Sequence, residues 1–481
     1  MKLRFHTKLS YGIGGAADNA FYTLFATYQL FFLTTVAGVN PAAAGTISAA
    51  GSIFEVFCGP VVGTLSDRTR HRLGKRRPFL LAAALPTVLS ITFFFTRVDL
   101  PDILRFFYYL FMSLLVWFSF SLFYVPYITL GADLTEDYEE RTALRSFAYV
   151  GNQFGMIMGM VAPSFLAGFL AARGYGPGRT WSLIGLLIGA VCSLALLICA
   201  LTVKAPSSLL PPGREAPART HLSVRGVLRD YIAIGRLRPV IFIIGASLLF
   251  LIANTFFDSA LVYYLTYNLL FSESKRALVL LLFAVSGILF VPLIARRAAA
   301  TDKTATFWRG MFASGLLAAL LFLPGLGDLG TFSLLFTAGI ILAYSYGASC
   351  YWQLMPSMLY DVCEAEELAS GKSHAGSVIS LQALSESIAC AAGAQLLGIF
   401  LELAGFDELL AVQTDTTLTC IRACVTLIPG LLLVAVAGIA RLHPINKNSY
   451  ARIIGALEKQ RAGEPVDLTE FADIYGRKKH D

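Results

Sequence analysis

Long apolar runs separated by short polar segments fill almost the whole chain. Each run reaches the roughly 20 residues that an α-helix needs to cross the hydrocarbon core of a bilayer. The pattern predicts twelve membrane-spanning helices, and hence an all-α integral membrane protein, because a soluble protein would have to hide all of these runs in one core. The segments lie at about 11–36, 42–66, 78–98, 103–131, 144–172, 180–203, 240–270, 276–296, 306–326, 331–360, 375–404 and 416–441.

Basic residues are concentrated in alternate loops. The loop after the second segment holds six Lys/Arg and the stretch 204–238 holds seven, whereas the loops at 39–44 and 325–330 hold none. Because positively charged loops stay on the cytoplasmic side, this bias predicts cytoplasmic termini for a multi-pass protein of the cell inner (plasma) membrane.

The stretch 204–238 also divides the chain, since it begins proline-rich, is basic later and separates six segments from six. The predicted domains are an N-terminal half (1–203), a cytoplasmic linker (204–238), a C-terminal half (239–441) and a cytoplasmic tail (442–481). Two six-helix halves joined by a long linker are typical of the major facilitator fold. Ile453, Ile454 and Leu457 share one side of a short helical pattern in the tail, which could lie on the membrane, cover the cytoplasmic gate or remain solvated.

Composition narrows the functional classes. Hydrophobic residues make up 56% and charged residues only 14% of the 481 residues, against about 25% charged in soluble proteins. The net charge of +7 does not indicate nucleic-acid binding, because the basic residues lie in short loops. The chain has no phosphate-binding loop, metal-ligand spacing, nucleophile elbow or dinucleotide motif, so we expect no enzyme activity, cofactor or metal. The eight cysteines fall mostly in apolar runs and are expected to be small core residues.

Four acids stand inside apolar runs, where an ionised group costs about 2.5–3.5 kcal/mol at the bilayer centre. They are Asp18, Glu55, Asp258 and Glu386, in segments 1, 2, 7 and 11, which surround the central cavity in the major facilitator fold. We predict substrate binding for Asp18, Asp258 and Glu386, and cation coupling for Glu55 and Asp18. The alternative for Asp18 is an interhelical hydrogen bond or a site near the cytoplasmic end, and the alternative for Asp258 is a structural acid paired with a neighbouring helix.

Other polar and aromatic side chains form a second tier of substrate contacts. Aromatic residues in membrane helices are more often packing or interfacial anchors, which is their alternative role. The predicted contacts are Asn19, Asn152, Gln153, Tyr346, Trp352 and Gln382.

A cytoplasmic gate is predicted around the basic loop after segment 2. Asp67 stands at a helix end and can pair with arginines, which would lock the cytoplasmic face in one state and release it when the two halves rock. Arg145 could instead reach the substrate. The predicted gate residues are Asp67, Arg68, Lys75, Arg76, Arg77, Arg145 and Asp361.

Four stretches resemble the glycoside-pentoside-hexuronide:cation symporters, the melibiose permease branch of the major facilitator superfamily. They are YGIGGAADNAFY, CGPVVGTLSDRTRHRLGKRRPF, YVPYITLGADLTEDYEERTALRS and YDVCEAEELASGKSHAGSV. The second stretch is also similar to the sucrose transporters. The resemblance covers all twelve segments and implies a symporter of sugars or glycosides.

The resemblance also implies roles for single residues. Asp18 matches the acid that holds the sugar in the family, and Glu55 matches the first of two cation-binding acids on helix 2, but Gly59 stands where the second would be. The positions of the family's helix 4 acid, stacking tryptophan and helix 11 lysine are here Phe118, Leu122 and Ser387.

These departures favour a proton over sodium as coupling ion. Sodium needs several oxygen ligands, whereas a single desolvated carboxylate binds a proton near neutral pH. The predicted function is proton-coupled symport of a small organic solute, most simply a sugar or glycoside, by a monomer. Alternatives are a carrier of an amphiphile such as a lysolipid, an uncoupled facilitator, and a receptor that does not transport.

Overall fold

A computed structural model describes residues 3–69, 71–134, 138–203, 234–322, 332–371, 375–407, 410, 412–462 and 464–475, and all regular structure in these residues is helical. The first six helices are α1 (Phe5–Thr35), α2 (Pro41–Arg68), α3 (Arg77–Phe94), α4 (Asp102–Asp133), α5 (Tyr138–Ala171) and α6 (Pro177–Thr202). The later ones are α7 (Arg238–Tyr263), a π-helical turn (Tyr264–Asn268), α8 (Glu273–Ala300), α9 (Lys303–Leu320), α10 (Phe332–Ser370), α11 (Ala375–Leu403), α12 (Asp415–Val425), α13 (Leu427–Arg441), α14 (Lys447–Arg461), a 3-10 turn (Leu468–Phe471) and α15 (Ala472–Tyr475).

The prediction of an all-α membrane protein is confirmed. Within the described ranges, ten helical segments are long and apolar enough to cross a membrane. The first and ninth predicted segments are also helical, as α1 with 31 residues and α9 with 18. Most of the predicted linker, 204–233, lies outside the described residues, so the predicted domain boundaries remain predictions.

Two helices differ from the predicted segments. The last segment is not one helix, because α12 ends at Val425 and α13 begins at Leu427, with Thr426 between them. The tenth segment was expected to end near residue 360, but α10 continues to Ser370. Hydrophobicity marks where a chain leaves the membrane, whereas backbone hydrogen bonding and the packing of polar residues decide where the helix stops.

Short polar signals set several helix starts. The Asn40 side chain accepts hydrogen bonds from the backbone N–H groups of Ala42 and Ala43 at 3.0 and 3.4 Å, and Pro41 occupies the first turn. Asp302 caps α9 by accepting from the backbone N–H of Ala305 at 3.2 Å. These caps satisfy amide groups that the first helical turn leaves without partners.

The described residues form two compact units. The first comprises Met1–Glu215, Asp258–Ala284 and Cys390–Arg422, and the second comprises Ala216–Phe257, Val285–Ala389 and Ala423–Asp481. The first unit therefore contains α1 to α6 together with parts of α7, α8, α11 and α12.

Glycines hold α1 and α5 in close contact in the first unit. Gly151, Gly155 and Gly159 recur every four residues on α5, and a Cβ at any of them would overlap backbone atoms of α1, namely at Gly12, Ala16 and Ala20 respectively. This spacing of small residues brings membrane helices close enough for backbone packing.

Helix ends remote from the N-terminus also meet inside the first unit. The hydroxyl groups of Thr34 on α1 and Tyr263 on α7 are 2.5 Å apart. Gly398 on α11 packs against α2, where a Cβ would lie 3.1 Å from the Cα of Gly45. The backbone N–H of Ala42 donates to Glu402 at 3.1 Å.

In the second unit, one face of α10 carries a polar residue at every fourth position. Ser345 accepts a hydrogen bond from Ser286 at 2.8 Å, and Ser349 and Gln353 donate to backbone carbonyls of α8 at 3.2 and 3.3 Å. Further along, Ser357 and Asp361 both accept from the Lys303 ammonium. Such polar contacts between membrane helices stabilise their packing.

The tail packs against the part of α10 that extends beyond the predicted segment. Arg461 of α14 pairs with Glu367 at 2.8 Å, and the Tyr475 hydroxyl donates to the Ala365 carbonyl at 2.6 Å. Ile453 and Leu457 are buried, while Ile454 is half-buried. Of the three arrangements considered for the tail, the described part is therefore neither fully solvated nor an isolated surface helix.

Candidate functional site

Three of the four predicted acids come together around one tyrosine in the first unit. The Tyr22 hydroxyl on α1 lies beside the Cys390 thiol of α11 and within electrostatic range of Glu55 and Asp258. Asp18, one turn before Tyr22, interacts electrostatically with Glu55. The carboxylates of α1, α2 and α7 therefore share one site.

The packing of α2 explains how Glu55 reaches this site. A Cβ at Gly51 would lie 2.5 Å from Ser113 Oγ and 2.6 Å from Trp117 Nε1, so this face of α2 lies directly on α4. Glu55 follows one helical turn later on the same face. Its carboxylate is consequently directed into the protein, as expected for an acid at membrane depth.

Aromatic rings form one wall of the site. The Tyr22 ring makes edge contacts with Trp117, with centroids 6.4 Å apart, and Trp117 packs in the same way on Phe120 at 5.6 Å. Trp117 is only 5% exposed, and its indole N–H has no hydrogen-bond partner among the described residues. Tyr22 is 39% exposed although protein groups surround it, so its ring borders an open space. The arrangement combines carboxylates with the exposed ring of Tyr22, which Trp117 supports from behind.

The other predicted contacts of the first unit have mainly structural partners. Asn19 accepts a hydrogen bond from Thr23 at 2.7 Å on the same helix. Asn152 lies between α5 and α1, where its amide, oriented to suit its neighbours, donates to the Gly15 carbonyl at 2.7 Å. Gln153 is half-buried beside it. The described contacts do not join Asn152 or Gln153 to Tyr22.

The predicted contacts of the second unit lie on α10 and α11. Glu386 accepts a hydrogen bond from Gln382 at 3.3 Å, one turn away on α11. Tyr346 accepts from Arg297 at 2.9 Å, and Trp352 is 53% exposed. These are two separate local arrangements within that unit.

Several predicted gate residues make fixed contacts near helix ends. Arg76 donates to Ser66 Oγ at 2.6 Å, and the buried Arg77 donates to the last carbonyls of α6, at Ala200 and Leu201. Asp361 forms a 2.5 Å ion pair with Lys303. Lys75 is half-buried. The side chains of Asp67, Arg68 and Arg145 lie outside the described residues.

A cavity of about 200 Å³ in the first unit lies apart from the acids. Its wall includes Tyr28, Trp181, Glu273 and Arg276. Arg276 pairs with Glu273 and donates to Thr266 at 2.6 Å, so its charge is already compensated. The carboxylates around Tyr22, rather than this cavity, therefore define the candidate site.

The described ranges contain no cluster of three or more His, Cys, Asp or Glu suited to a metal ion.

Sequence reasoning missed Tyr22, Trp117 and Cys390. Tyr22 follows Asp18 by four residues, and Cys390 follows Glu386 by four, so helical spacing from the chosen acids could have identified two of the three.

Comparisons with known proteins agree with this architecture. The family model described as MFS/sugar transport protein matches residues 10–447. A relative named "Uncharacterized symporter sll1374", from Synechocystis, is 27% identical over 97% of this chain and 98% of its own. The isoprimeverose transporter of Lactiplantibacillus pentosus is 24% identical over 83% of this chain and 80% of its own.

Solved structures support the same fold. A bacterial homologue of the human drug peptide transporters PepT1 and PepT2 superimposes with a TM-score of 0.64 at 13% identity, covering 94% of this chain and 99% of that one. The resemblance to cation symporters is thereby confirmed at the level of the family. The chain belongs to the MFS/sugar transport protein family, and is a divergent, multi-pass membrane transporter rather than an enzyme.

Proposed function

We propose that the chain is a proton-coupled symporter of a small sugar or glycoside that works by alternating access. The observation that carries this proposal is the group of carboxylates from α1, α2 and α7 around Tyr22, which borders an open space. Acids at membrane depth are costly and rare, and those that occur mark pathways for solutes or ions.

The carboxylates support a sugar-like solute. Asp18 and Asp258 can accept hydrogen bonds from the hydroxyl groups of a sugar. The Tyr22 ring, which is 39% exposed, offers flat apolar surface to the C–H face of a sugar. The isoprimeverose transporter among the relatives makes a sugar the first solute class to test.

The ligand chemistry favours a proton as the coupling ion. The family's second helix 2 acid is replaced by Gly59, which leaves fewer oxygens for sodium. A carboxylic acid needs only itself to bind a proton in a poorly solvated site. We assign coupling to Glu55, whose neutral form would permit the loaded carrier to change state, and substrate binding with a share in coupling to Asp18.

The test compares the Glu55→Gln variant with the unaltered protein in proteoliposomes. The orientation of both proteins in the membrane is determined from the side on which their two termini lie. The solute is first identified with a panel of labelled glycosides, pentosides and one lysophospholipid. We expect proton-driven accumulation of the solute to fall about tenfold or more in the variant. Solute exchange should be retained, because glutamine resembles the protonated acid. Asp99→Asn, which changes a 90% exposed carboxylate, is the matched control.

Undiminished pH-driven accumulation by the glutamine variant would contradict the assignment of Glu55. Accumulation driven by sodium alone would overturn proton coupling, and transport of only the lysophospholipid would replace the sugar by an amphiphile.

We further propose a monomer with cytoplasmic termini, in which the basic loop after α2 contributes to the cytoplasmic gate.

A further inference from the structure

Trp308, near the start of α9, has two guanidinium groups from different helices close to its ring. The guanidinium carbon of Arg309 is 5.3 Å from the centroid of the indole ring, and that of Arg441, in the last turn of α13, is 5.6 Å away. Arginine stacks favourably on an aromatic face. The cluster therefore presents two positive charges on one aromatic platform.

These two charges are not compensated by the protein. Arg309 and Arg441 are exposed, and neither has a carboxylate partner in the part of the chain that the structure describes. The nearby acid Asp302 is already engaged, because its oxygens accept from the backbone N–H groups of Ala305 and Lys447. An anion would therefore find two guanidinium groups ready to donate hydrogen bonds.

An apolar surface begins next to the charges. Phe312, Leu316 and Leu320 are exposed along the face of α9 that starts at Arg309, and Leu431 is exposed on α13. The two helices touch closely, since a Cβ at Gly315 would lie 2.6 Å from the Gly430 carbonyl oxygen. Exposed apolar side chains on spanning helices face acyl chains, while tryptophan and arginine prefer the headgroup level.

We propose that Trp308, Arg309 and Arg441 form a binding site for the phosphate headgroup of an anionic phospholipid. The two guanidinium groups can each donate paired hydrogen bonds to phosphate oxygens, while the acyl chains lie along α9 and α13. A zwitterionic headgroup brings its own cation close to the arginines and binds more weakly. The site is independent of the solute and of the coupling ion.

The test uses Trp308 as its own reporter. The protein is reconstituted in phosphatidylcholine liposomes that contain phosphatidylglycerol, with bromine atoms on the acyl chains of one lipid or the other. Subtracting the quenching of a Trp308→Phe variant isolates the signal of Trp308 from the other three tryptophans. We expect phosphatidylglycerol to be enriched about fivefold or more around Trp308, from the attraction of arginine to anionic lipid.

The double variant Arg309→Gln/Arg441→Gln should lose this enrichment. Arg173→Gln should keep it, because Arg173 lies over the Phe169 ring at 4.0 Å and belongs to a separate cluster. An equal thermal midpoint for the double variant and the unaltered protein excludes misfolding as the cause of the loss. Equal quenching by the two lipids, or enrichment that survives the double variant, would overturn the proposal. Loss of enrichment on adding millimolar inorganic phosphate would identify a soluble anion as the ligand instead of lipid.

Discussion

At the scale of the residue, one tyrosine of α1 joins the acids of the candidate site, because the Tyr22 hydroxyl lies close to groups of α2, α7 and α11. Asp18, Glu55 and Asp258 could be predicted because a carboxylate inside an apolar run is rare and costly. Tyr22 and Cys390 could not be separated from the many aromatic and small residues of membrane helices, which mostly serve packing. Only the fold brings the Tyr22 hydroxyl to the Cys390 thiol and to two carboxylates.

His443 gives a residue-level prediction outside the membrane-spanning segments. Burial lowers the pKa of its imidazole from 6.5 to about 4. Between these values the unfolded chain binds a proton that the folded chain does not, so this contribution to stability is full above pH 6.5 and is lost as the pH falls towards 4. A pKa difference of about 2.5 corresponds to about 3 kcal/mol.

The thermal midpoint in detergent at a series of pH values tests this expectation. His443→Gln should flatten the decline between pH 6.5 and 4, because glutamine does not titrate there. His6→Gln changes an exposed imidazole and should leave the profile as in the unaltered protein. Parallel profiles for the unaltered protein and the His443 variant would show that the buried imidazole does not govern the decline.

At the scale of the element, the positions of the helices were predictable and their partners were not. Apolar run length located α1 to α11, because crossing a bilayer requires a nearly fixed number of residues. It gave no warning of the interruption at Thr426 or of the π-helical turn at Tyr264–Asn268, since both lie inside apolar sequence. Apolar run length also did not predict which helix would contact the glycine face of α5, which is formed by Gly151, Gly155 and Gly159.

The contact between α1 and α5 predicts that Gly155→Ala destabilises the protein. A Cβ at position 155 would overlap the backbone at Ala16, which can move only if the whole helix moves. Overpacking of this kind typically costs about 1–3 kcal/mol. The free energy of unfolding in mixed micelles is the measurement, and Gly438→Ala is the control, because no atom lies within 4 Å of a Cβ at that position. Equal losses from both substitutions would show that the close contact is not the cause.

At the scale of the whole molecule, the family and the multi-pass helical architecture were predictable because long apolar runs extend over the entire chain. The packing of the tail was not. Ile453 and Leu457 indicated that something covers one face of α14, but a hydrophobic pattern does not name its partner. The partner is the polar extension of α10, where Glu367 pairs with Arg461. That extension lies beyond the predicted tenth segment, because its residues are too polar to span a membrane.

The contact between α2 and α11 allows a test of alternating access. Gly398 lies against the backbone at Pro41 and Gly45, at the end of the first unit remote from the N-terminus. Valine at position 398 should prevent this end from closing, so uptake should fall by about tenfold or more while solute binding persists. Gly287→Val is the matched control, because no atom lies within 4 Å of a Cβ there.

Labelling of Cys390 distinguishes a blocked transition from general damage. This thiol lies beside Tyr22. With the proposed cytoplasmic termini, the end at Gly398 faces outward, so an impermeant maleimide added outside should reach Cys390 only when that end is open. We expect Gly398→Val to raise the labelling rate several-fold. Adding Cys390→Ala should remove this labelling, which shows that it does not come from the other seven cysteines. Because a merely unstable variant would expose buried thiols as well, the increase must be confined to Cys390. An unchanged labelling rate with normal uptake would show that the carrier does not need this glycine contact to change state.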